Sequence, residues 1–215
     1  MTDQTKIFCT GLSRTGTTSL CHGLEMLEFK AKHFPIELFA QPHVINAPSF
    51  QAQLSRGIWK RLALYRELKA YRYHSYESAM QQFDVFADLP IPLYFRELHA
   101  VYPQAKFIHT TRDLDKWLSS MKWLLDTGRE ERGWSIGELA DELHYAIYGC
   151  IKYDEPSLRA AYADHEANIH AYFSGIPDAL LTINLDEGEL SFERIAPFLN
   201  VATPDVLFPH SNSKD

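Results

Sequence analysis

A short apolar run that leads directly into a glycine-bounded loop constrains the fold of this chain more than any other feature. Residues 6–10 have the apolar character of a buried strand, and the loop that follows begins at Gly11 and ends at Gly16. Residues 17–27 then carry leucines at helical spacing. A strand, a glycine loop and a helix in this order direct backbone N–H groups and the positive end of the helix towards one point. We therefore predict a cradle for a phosphate or sulfate, the alternative being a plain strand-to-helix turn.

The rest of the chain alternates between strand-like and helix-like segments. Helical periodicity predicts helices over 93–101 and 113–125. The further predicted strands are 29–33, 84–87, 105–111 and 179–185. Strands that alternate with helices are joined by right-handed crossovers, which place helices on both faces of the sheet. The predicted class is α/β, with three layers and a central, mainly parallel sheet of about five strands.

The domain organisation follows from the length and from two helical segments that break the alternation. The chain has 215 residues and no linker-like stretch, which favours a single domain over residues 1–215. We predict helical inserts at about 49–82 and 122–173, which would form the side of the molecule that meets the substrate. The stretch 49–72 carries six Lys or Arg against one Glu. Contact with an acidic substrate and a plain solvated face are both open for it.

Composition and charge exclude several classes of protein. With 46% hydrophobic and 23% charged residues, the chain is neither disordered nor a disulfide scaffold. The formal net charge of −7 argues against a nucleic-acid partner, so an anionic ligand must be held by a local cluster of groups. The three cysteines form an odd, unpatterned set, and no apolar run approaches about 18 residues. We predict a cytoplasmic protein without an integral membrane segment.

The glycine loop matches part of the Walker A pattern, G-x-x-x-x-G-K-[ST]. Gly11, Gly16 and Thr18 fit, whereas Thr17 occupies the lysine position and the nearest cation is Arg14. A kinase needs that lysine over the β- and γ-phosphates, together with Mg²⁺. The displaced charge disfavours a small-molecule kinase that uses ATP and Mg²⁺, and this function is kept as the alternative. No histidine or cysteine spacing indicates a metal site.

A second motif lies at the carboxyl end of the predicted strand 105–111, where ligands bind in open α/β sheets. Arg112 leaves that strand, and Ser120 follows eight residues later, just over two helical turns on. Together they predict a second anion site. The alternative is a surface ion pair between Arg112 and Asp113 or Asp115.

With these two motifs in this order, the chain resembles the sulfotransferases that use 3′-phosphoadenosine 5′-phosphosulfate (PAPS), and most closely a microbial branch with Arg in the loop. The resemblance extends from Lys6 to about Asn212 and implies a P-loop NTPase-like fold, a metal-independent transfer, and a small-molecule or glycan acceptor. It also implies that the donor's 5′-phosphosulfate is held by Arg14, Thr15, Gly16, Thr17, Thr18 and Ser19, and its 3′-phosphate by Arg112 and Ser120.

The resemblance leaves the catalytic base open. Many relatives carry Lys where this chain has Arg14; because Arg stays protonated, its expected role is electrostatic. Asp88 stands where cytosolic relatives have a catalytic His, and His33 lies near the place where another branch has a Glu base. Either can be the base, but Asp88 can also cap a turn and His33 can be a packed core histidine. A module that binds the donor without catalysis is a third possibility.

Overall fold

A parallel five-stranded sheet lies in the first of the two compact units into which the chain divides. The structure, a computed structural model, describes residues 5–35, 80–131 and 139–210. The strands are β1 (Ile7–Cys9), β2 (Ala31–His33), β3 (Val85–Ala87), β4 (Lys106–Thr111) and β5 (Leu180–Asn184). Their order across the sheet is β2-β3-β1-β4-β5, and every pair is parallel. The predicted α/β class with a five-stranded parallel sheet is confirmed.

Seven helices accompany the strands in the described residues, with a short 3₁₀ turn on each side of β5. The helices are α1 (Thr17–Met26), α2 (Ile91–Val101), α3 (Leu114–Leu125), α4 (Thr127–Glu131), α5 (Leu139–Tyr148), α6 (Glu155–Phe173) and α7 (Phe192–Phe198). The 3₁₀ turns span Pro177–Ala179 and Leu185–Glu187. The predicted helix within 49–73 lies outside the described residues.

The first unit comprises the described residues 5–35, 80–113 and 168–210, and the second comprises 114–131 and 139–167. One boundary between the units falls just before α3 and another falls inside α6. The prediction of one domain over 1–215, with inserts at about 49–82 and 122–173, stays a prediction.

One face of the sheet is covered by an aromatic row. In register with Phe8 of β1 lie Phe86 of β3 and Phe107 of β4, with ring centroids 5.9 Å and 5.5 Å from that of Phe8. Phe173 of α6 packs on Phe107 at 4.9 Å. Because all three strand residues are fully buried, this row holds β1 firmly between its neighbours, each ring adding about 1.5–3 kcal/mol of burial.

The opposite face packs on α1 and α7. Since side chains alternate along a strand, Ile7 and Cys9 point away from the aromatic row and join Leu20 and Leu24 of α1 in one apolar cluster. Phe208 belongs to the same cluster: its ring lies 4.8 Å from that of Phe192 and covers Gly23 of α1. The chain from 201 to 210 contains no helix or strand, and it is anchored at Phe208.

The second unit has its own aromatic centre. Trp117 of α3 is fully buried, with its ring 4.9 Å from that of Tyr162 and 6.0 Å from that of Tyr148. On the exposed side, Arg159 holds both Asp115 and Glu155 at 2.8 Å. Asp115, one candidate partner of Arg112, is thus paired within its own unit.

Candidate functional site

The loop between β1 and α1 is a tight turn with two residues in the left-handed region. The Thr10 N–H still bonds to Ile108 O at 2.9 Å, so the strand pairing continues to the loop. Arg14 then has a φ of 71° and Gly16 a φ of 84°. The helix begins at once, with the Leu20 N–H bonded to Gly16 O at 3.0 Å. Turns of this kind bring successive N–H groups into one concavity and form anion sites.

On the β4 side, the loop is held by hydroxyl groups and backbone atoms. Thr15 Oγ1 donates to Leu12 O at 2.7 Å, so it accepts the hydrogen bond from Thr110 Oγ1, 2.8 Å away. A Cβ on Gly11 would overlap Thr110 Oγ1 and lie 2.8 Å from Thr110 O. Gly11 is therefore required by the close approach of β4.

On the β3 side, the loop meets a buried carboxylate. Asp88 follows β3 directly and is 8% exposed. Its Oδ1 accepts hydrogen bonds from Ser13 Oγ at 2.7 Å and from the Leu89 N–H at 2.8 Å. Its φ of 67° is a conformation that Asp and Asn adopt more readily than other side chains. The carboxylate caps its own turn, as one alternative predicted, and also reaches the loop.

His33, the last residue of β2, completes the cluster. Its Nε2 lies 3.3 Å from Asp88 Oδ2, 3.0 Å from Thr17 Oγ1 and 3.3 Å from Thr18 Oγ1. Because β2 and β3 are parallel neighbours, their carboxyl ends meet at one edge of the sheet. The two predicted base candidates are thus in contact with each other and with the first turn of α1, and the His33 side chain keeps 32% of its surface exposed.

The two residues of the predicted second anion site, Arg112 and Ser120, belong to different units. Arg112 follows β4, is half-buried, and donates from Nη1 to Arg14 O at 3.5 Å. Ser120 lies in α3 of the second unit and is half-buried. The alternative partner Asp113 donates its N–H to Asp186 Oδ2 at 2.7 Å. That Arg112 and Ser120 share one phosphate stays a prediction.

Two cysteines lie in the core beside the loop. Burial, reinforced by the negative charges of Asp88 and Glu25, raises the pKa of Cys21 to about 12. Burial likewise raises the pKa of the Cys9 thiol well above its ordinary value. Both thiols are therefore protonated at neutral pH.

Ser13 and Thr110 were not among the predicted site residues. Ser13 is separated from Asp88 by 75 residues and Thr15 from Thr110 by 95, and no spacing rule connects them. The available signal was positional: Thr110 lies close to the carboxyl end of a predicted strand, as the glycine loop does.

Metal-binding clusters and membrane spans are both missing from residues 5–35, 80–131 and 139–210. No group of three or more His, Cys, Asp or Glu side chains in these ranges could hold a metal ion. No helix in them is long and apolar enough to cross a membrane.

Comparison with known proteins connects this geometry to a family. The chain is 27% identical over 225 residues to Ava biosynthesis cluster protein M of Aspergillus versicolor, covering 98% of this chain and 82% of that protein. A sulfotransferase structure from Alicyclobacillus acidocaldarius superposes with a TM-score of 0.54 at 20% identity, covering 98% and 86% of the two chains, and shows the same fold. A sugar kinase from Janibacter sp. HTCC2649 reaches a TM-score of only 0.39 at 14% identity, too low to bear on fold or function.

The family model described as "Sulfotransferase domain" matches residues 6–215. The match includes the glycine loop, Asp88, His33 and the Arg112 motif. Because it spans nearly the whole chain, the protein belongs to the sulfotransferase domain family, a family of transferases.

Proposed function

We propose that this protein transfers a sulfuryl group from PAPS to a hydroxyl or amine of a small-molecule or glycan acceptor. The observation that carries the proposal is the contact between an acid–base pair and the anion loop. His33 and Asp88 touch each other, and His33 Nε2 touches the hydroxyls of Thr17 and Thr18 at the start of α1. A phosphate loop with proton-accepting groups at its rim suits sulfuryl transfer, because an acceptor hydroxyl must lose its proton there.

Some residues of the glycine loop would contact the donor's 5′-phosphosulfate, and others keep the loop in shape. The N–H and hydroxyl of Thr15 are both directed to Leu12 O, so its part is to keep the loop in shape. The anion would be contacted by Thr17, Thr18 and the N–H groups in the first turn of α1. Ser19, also predicted to bind the 5′-phosphosulfate, is buried in the same turn. Arg14 would stabilise negative charge on the leaving phosphate without giving up a proton.

The 3′-phosphate would distinguish PAPS from other nucleotides. We assign it to Arg112, at the carboxyl end of β4, together with Ser120 in α3. Arg112 contacts the backbone of Arg14, which joins the second anion site to the first. A guanidinium is suited to this task because its planar fork can hold a phosphate through two hydrogen bonds.

In the proposed reaction, the acceptor oxygen attacks the sulfur in line with the leaving phosphate. An S–O bond forms to the acceptor, the bridging S–O bond breaks, and its electron pair stays on the 5′-phosphate of the product, 3′-phosphoadenosine 5′-phosphate. The acceptor proton passes to the His33–Asp88 pair. The protein contributes position, fixed positive charge and the base. No metal ion takes part in this scheme.

Thermal unfolding in the presence of 3′-phosphoadenosine 5′-phosphate, compared with ATP plus Mg²⁺, tests the proposal. Each ligand is used with and without a chelator. A ligand at 100 times its Kd stabilises the native state by about 2.7 kcal/mol. We expect a clear shift with the bisphosphate that the chelator leaves unchanged. A shift only with ATP and Mg²⁺ would support the kinase alternative. Binding of the bisphosphate, combined with no sulfuryl transfer from PAPS to any acceptor, would support a binding module.

The cytoplasmic location and the lack of a nucleic-acid partner stay predictions from charge and cysteine usage. The role of the basic stretch 49–72 also stays open, since it lies outside the described residues.

A further inference from the structure

We infer that His33 accepts the acceptor's proton at Nδ1, that Asp88 fixes the other ring proton on Nε2, and that Ser13 positions Asp88. The inference rests on the proposed function and deepens it. It assigns separate roles to the two candidate bases. It also gives a role to Ser13 of the glycine loop, to which the sequence motifs assign none.

The carboxylate beside His33 Nε2 favours a hydrogen on that nitrogen, since the neighbouring hydroxyls can either donate or accept. Its three polar neighbours are Asp88 Oδ2 and the hydroxyls of Thr17 and Thr18, at 3.0–3.3 Å. A carboxylate can only accept, so the contact with Asp88 is attractive when Nε2 carries a proton. In the neutral ring the lone pair is then on Nδ1. The described part of the chain offers Nδ1 no hydrogen-bond partner.

Ser13 determines which carboxylate oxygen faces the histidine. Asp88 Oδ1 is occupied by two donors, Ser13 Oγ at 2.7 Å and the Leu89 N–H at 2.8 Å. These two bonds fix the plane of the carboxylate and direct Oδ2 to His33. Ser13 is 4% exposed and lies inside the loop, so its hydroxyl ties the His33–Asp88 pair to the backbone that would hold the donor.

The arrangement also places the positive charge of the protonated His33 ring beside the glycine loop. When Nδ1 takes the acceptor's proton, the ring becomes an imidazolium whose Nε2–H still faces Asp88 and the hydroxyl of Thr17. Thr17 is the position at which a kinase loop carries lysine. A positive charge thus forms beside the loop as the S–O bond to the leaving phosphate breaks, and Asp88 balances it. In this scheme Asp88 and Ser13 are positioning residues.

Nitrogen NMR of protein labelled with [¹⁵N]histidine tests the inference without knowledge of the acceptor. Spectra are recorded at pH 8.5, where histidine rings are mostly neutral. The His33 resonances are identified by their loss in His33→Gln. We expect the wild-type ring to carry its proton on Nε2. Asp88→Asn should invert this, because the asparagine amide can donate to Nε2.

Ser13→Ala should lower the ratio of the Nε2–H to the Nδ1–H tautomer by roughly threefold to tenfold, the factor that corresponds to one hydrogen bond. Ser13→Thr, which keeps a hydroxyl, should restore the ratio. The matched control is Ser174→Ala, which removes a serine hydroxyl bonded to Ala171 O at 2.9 Å. A wild-type ring protonated on Nδ1, or a Ser13→Ala spectrum equal to that of the control, would overturn the inference.

Two further measurements separate failure of this inference from failure of the proposed function. Calorimetric titration of the wild-type protein with 3′-phosphoadenosine 5′-phosphate tests the proposed function independently of the tautomer. If the wild type itself does not bind the bisphosphate, the proposed function fails, whatever the tautomer. If Ser13→Ala does not fold, the Asp88→Asn spectrum decides: an unchanged Nε2–H tautomer there contradicts the inference.

Discussion

The two sides of the glycine loop are held by different chemistry. On the side of β2 and β3, ionisable groups meet: His33, Asp88 and the hydroxyl of Ser13 form one chain of contacts. On the side of β4, the neutral hydroxyls of Thr15 and Thr110 meet at 2.8 Å. The first side holds the groups that we propose take the acceptor's proton, whereas the two threonine hydroxyls of the second side hold the loop in shape.

The largest expected effect comes from crowding the β4 side. In Gly11→Ala, the new Cβ must displace Thr110, including its backbone oxygen. We expect the melting temperature to fall by roughly 3–10 °C, the consequence of about 1–3 kcal/mol of overpacking, and bisphosphate binding to be lost. Gly175→Ala, whose added Cβ meets nothing within 4 Å, is the control. Equal melting temperatures for the two variants would show that the loop can move away from β4.

Removing the Arg112 side chain, which follows β4, should weaken binding of the nucleotide that has a 3′-phosphate and leave binding of one that lacks it unchanged. We expect Arg112→Ala to weaken binding of 3′-phosphoadenosine 5′-phosphate by about 10- to 100-fold, the range for hydrogen bonds to a charged group. Binding of adenosine 5′-monophosphate should not change, because that nucleotide lacks the 3′-phosphate. Calorimetric titration measures both affinities, with Arg194→Ala as a control on an exposed arginine in α7. Equal losses for the two nucleotides would contradict the two-site assignment.

A smaller effect should follow from removing one hydroxyl of the β4 side. Thr110→Val keeps the branched shape but cannot bond to Thr15, at a cost of about 1 kcal/mol. For a chain of this length we expect a melting temperature about 2–4 °C lower, and Thr110→Ser should recover most of it. The His33 tautomer should be the same in both variants. A changed tautomer would mean that the two sides of the loop are coupled.

The smallest expected effect is on the reactivity of the buried Cys21 thiol, whose pKa is raised by burial and in part by Asp88. Because burial raises the pKa of Cys21 to about 12, its thiolate is nearly absent at pH 8. Native protein treated with iodoacetamide should be modified at the half-buried Cys150 and not at Cys9 or Cys21, as mass spectrometry of peptides can show. In Asp88→Asn the pKa of Cys21 should fall slightly, and its modification should become faster but remain slower than that of Cys150. Equal rates for Cys21 and Cys150 in wild type would contradict the assigned pKa shift.

The elements that were predicted individually and that the structure describes begin and end within one or two residues of their predicted bounds, whereas no bounds were predicted for α4, α5 and α7. β4, predicted over 105–111, spans Lys106–Thr111, and α1, predicted over 17–27, spans Thr17–Met26. Such segments can be read because a strand buried on both faces is an apolar run and an amphipathic helix repeats every three to four residues. β2 was predicted from residue 29 but begins at Ala31, because the chain turns at Leu27 and Glu28, the latter with a φ of 67°, and two irregular residues precede the strand.

The site was predicted in part. The glycine loop could be named because it follows a predicted strand, and Asp88 and His33 because the family resemblance places base candidates at the ends of their strands. Their mutual contacts could not be predicted, because they depend on the order of the strands across the sheet. His33 and Asp88 are far apart in the chain, and they meet because β2 and β3 are adjacent in the sheet, with His33 in register with Ala87.

The sequence by itself determined the α/β class, the glycine loop between Gly11 and Gly16, and the family, because these depend on local patterns and on motifs that are contiguous in the chain. Only the tertiary structure decided that Ser13 bonds to Asp88, that His33 faces both Asp88 and Thr17, and that β4 presses on Gly11. These contacts join residues far apart in the chain, and their distances are set by the packing of parallel strands between helices.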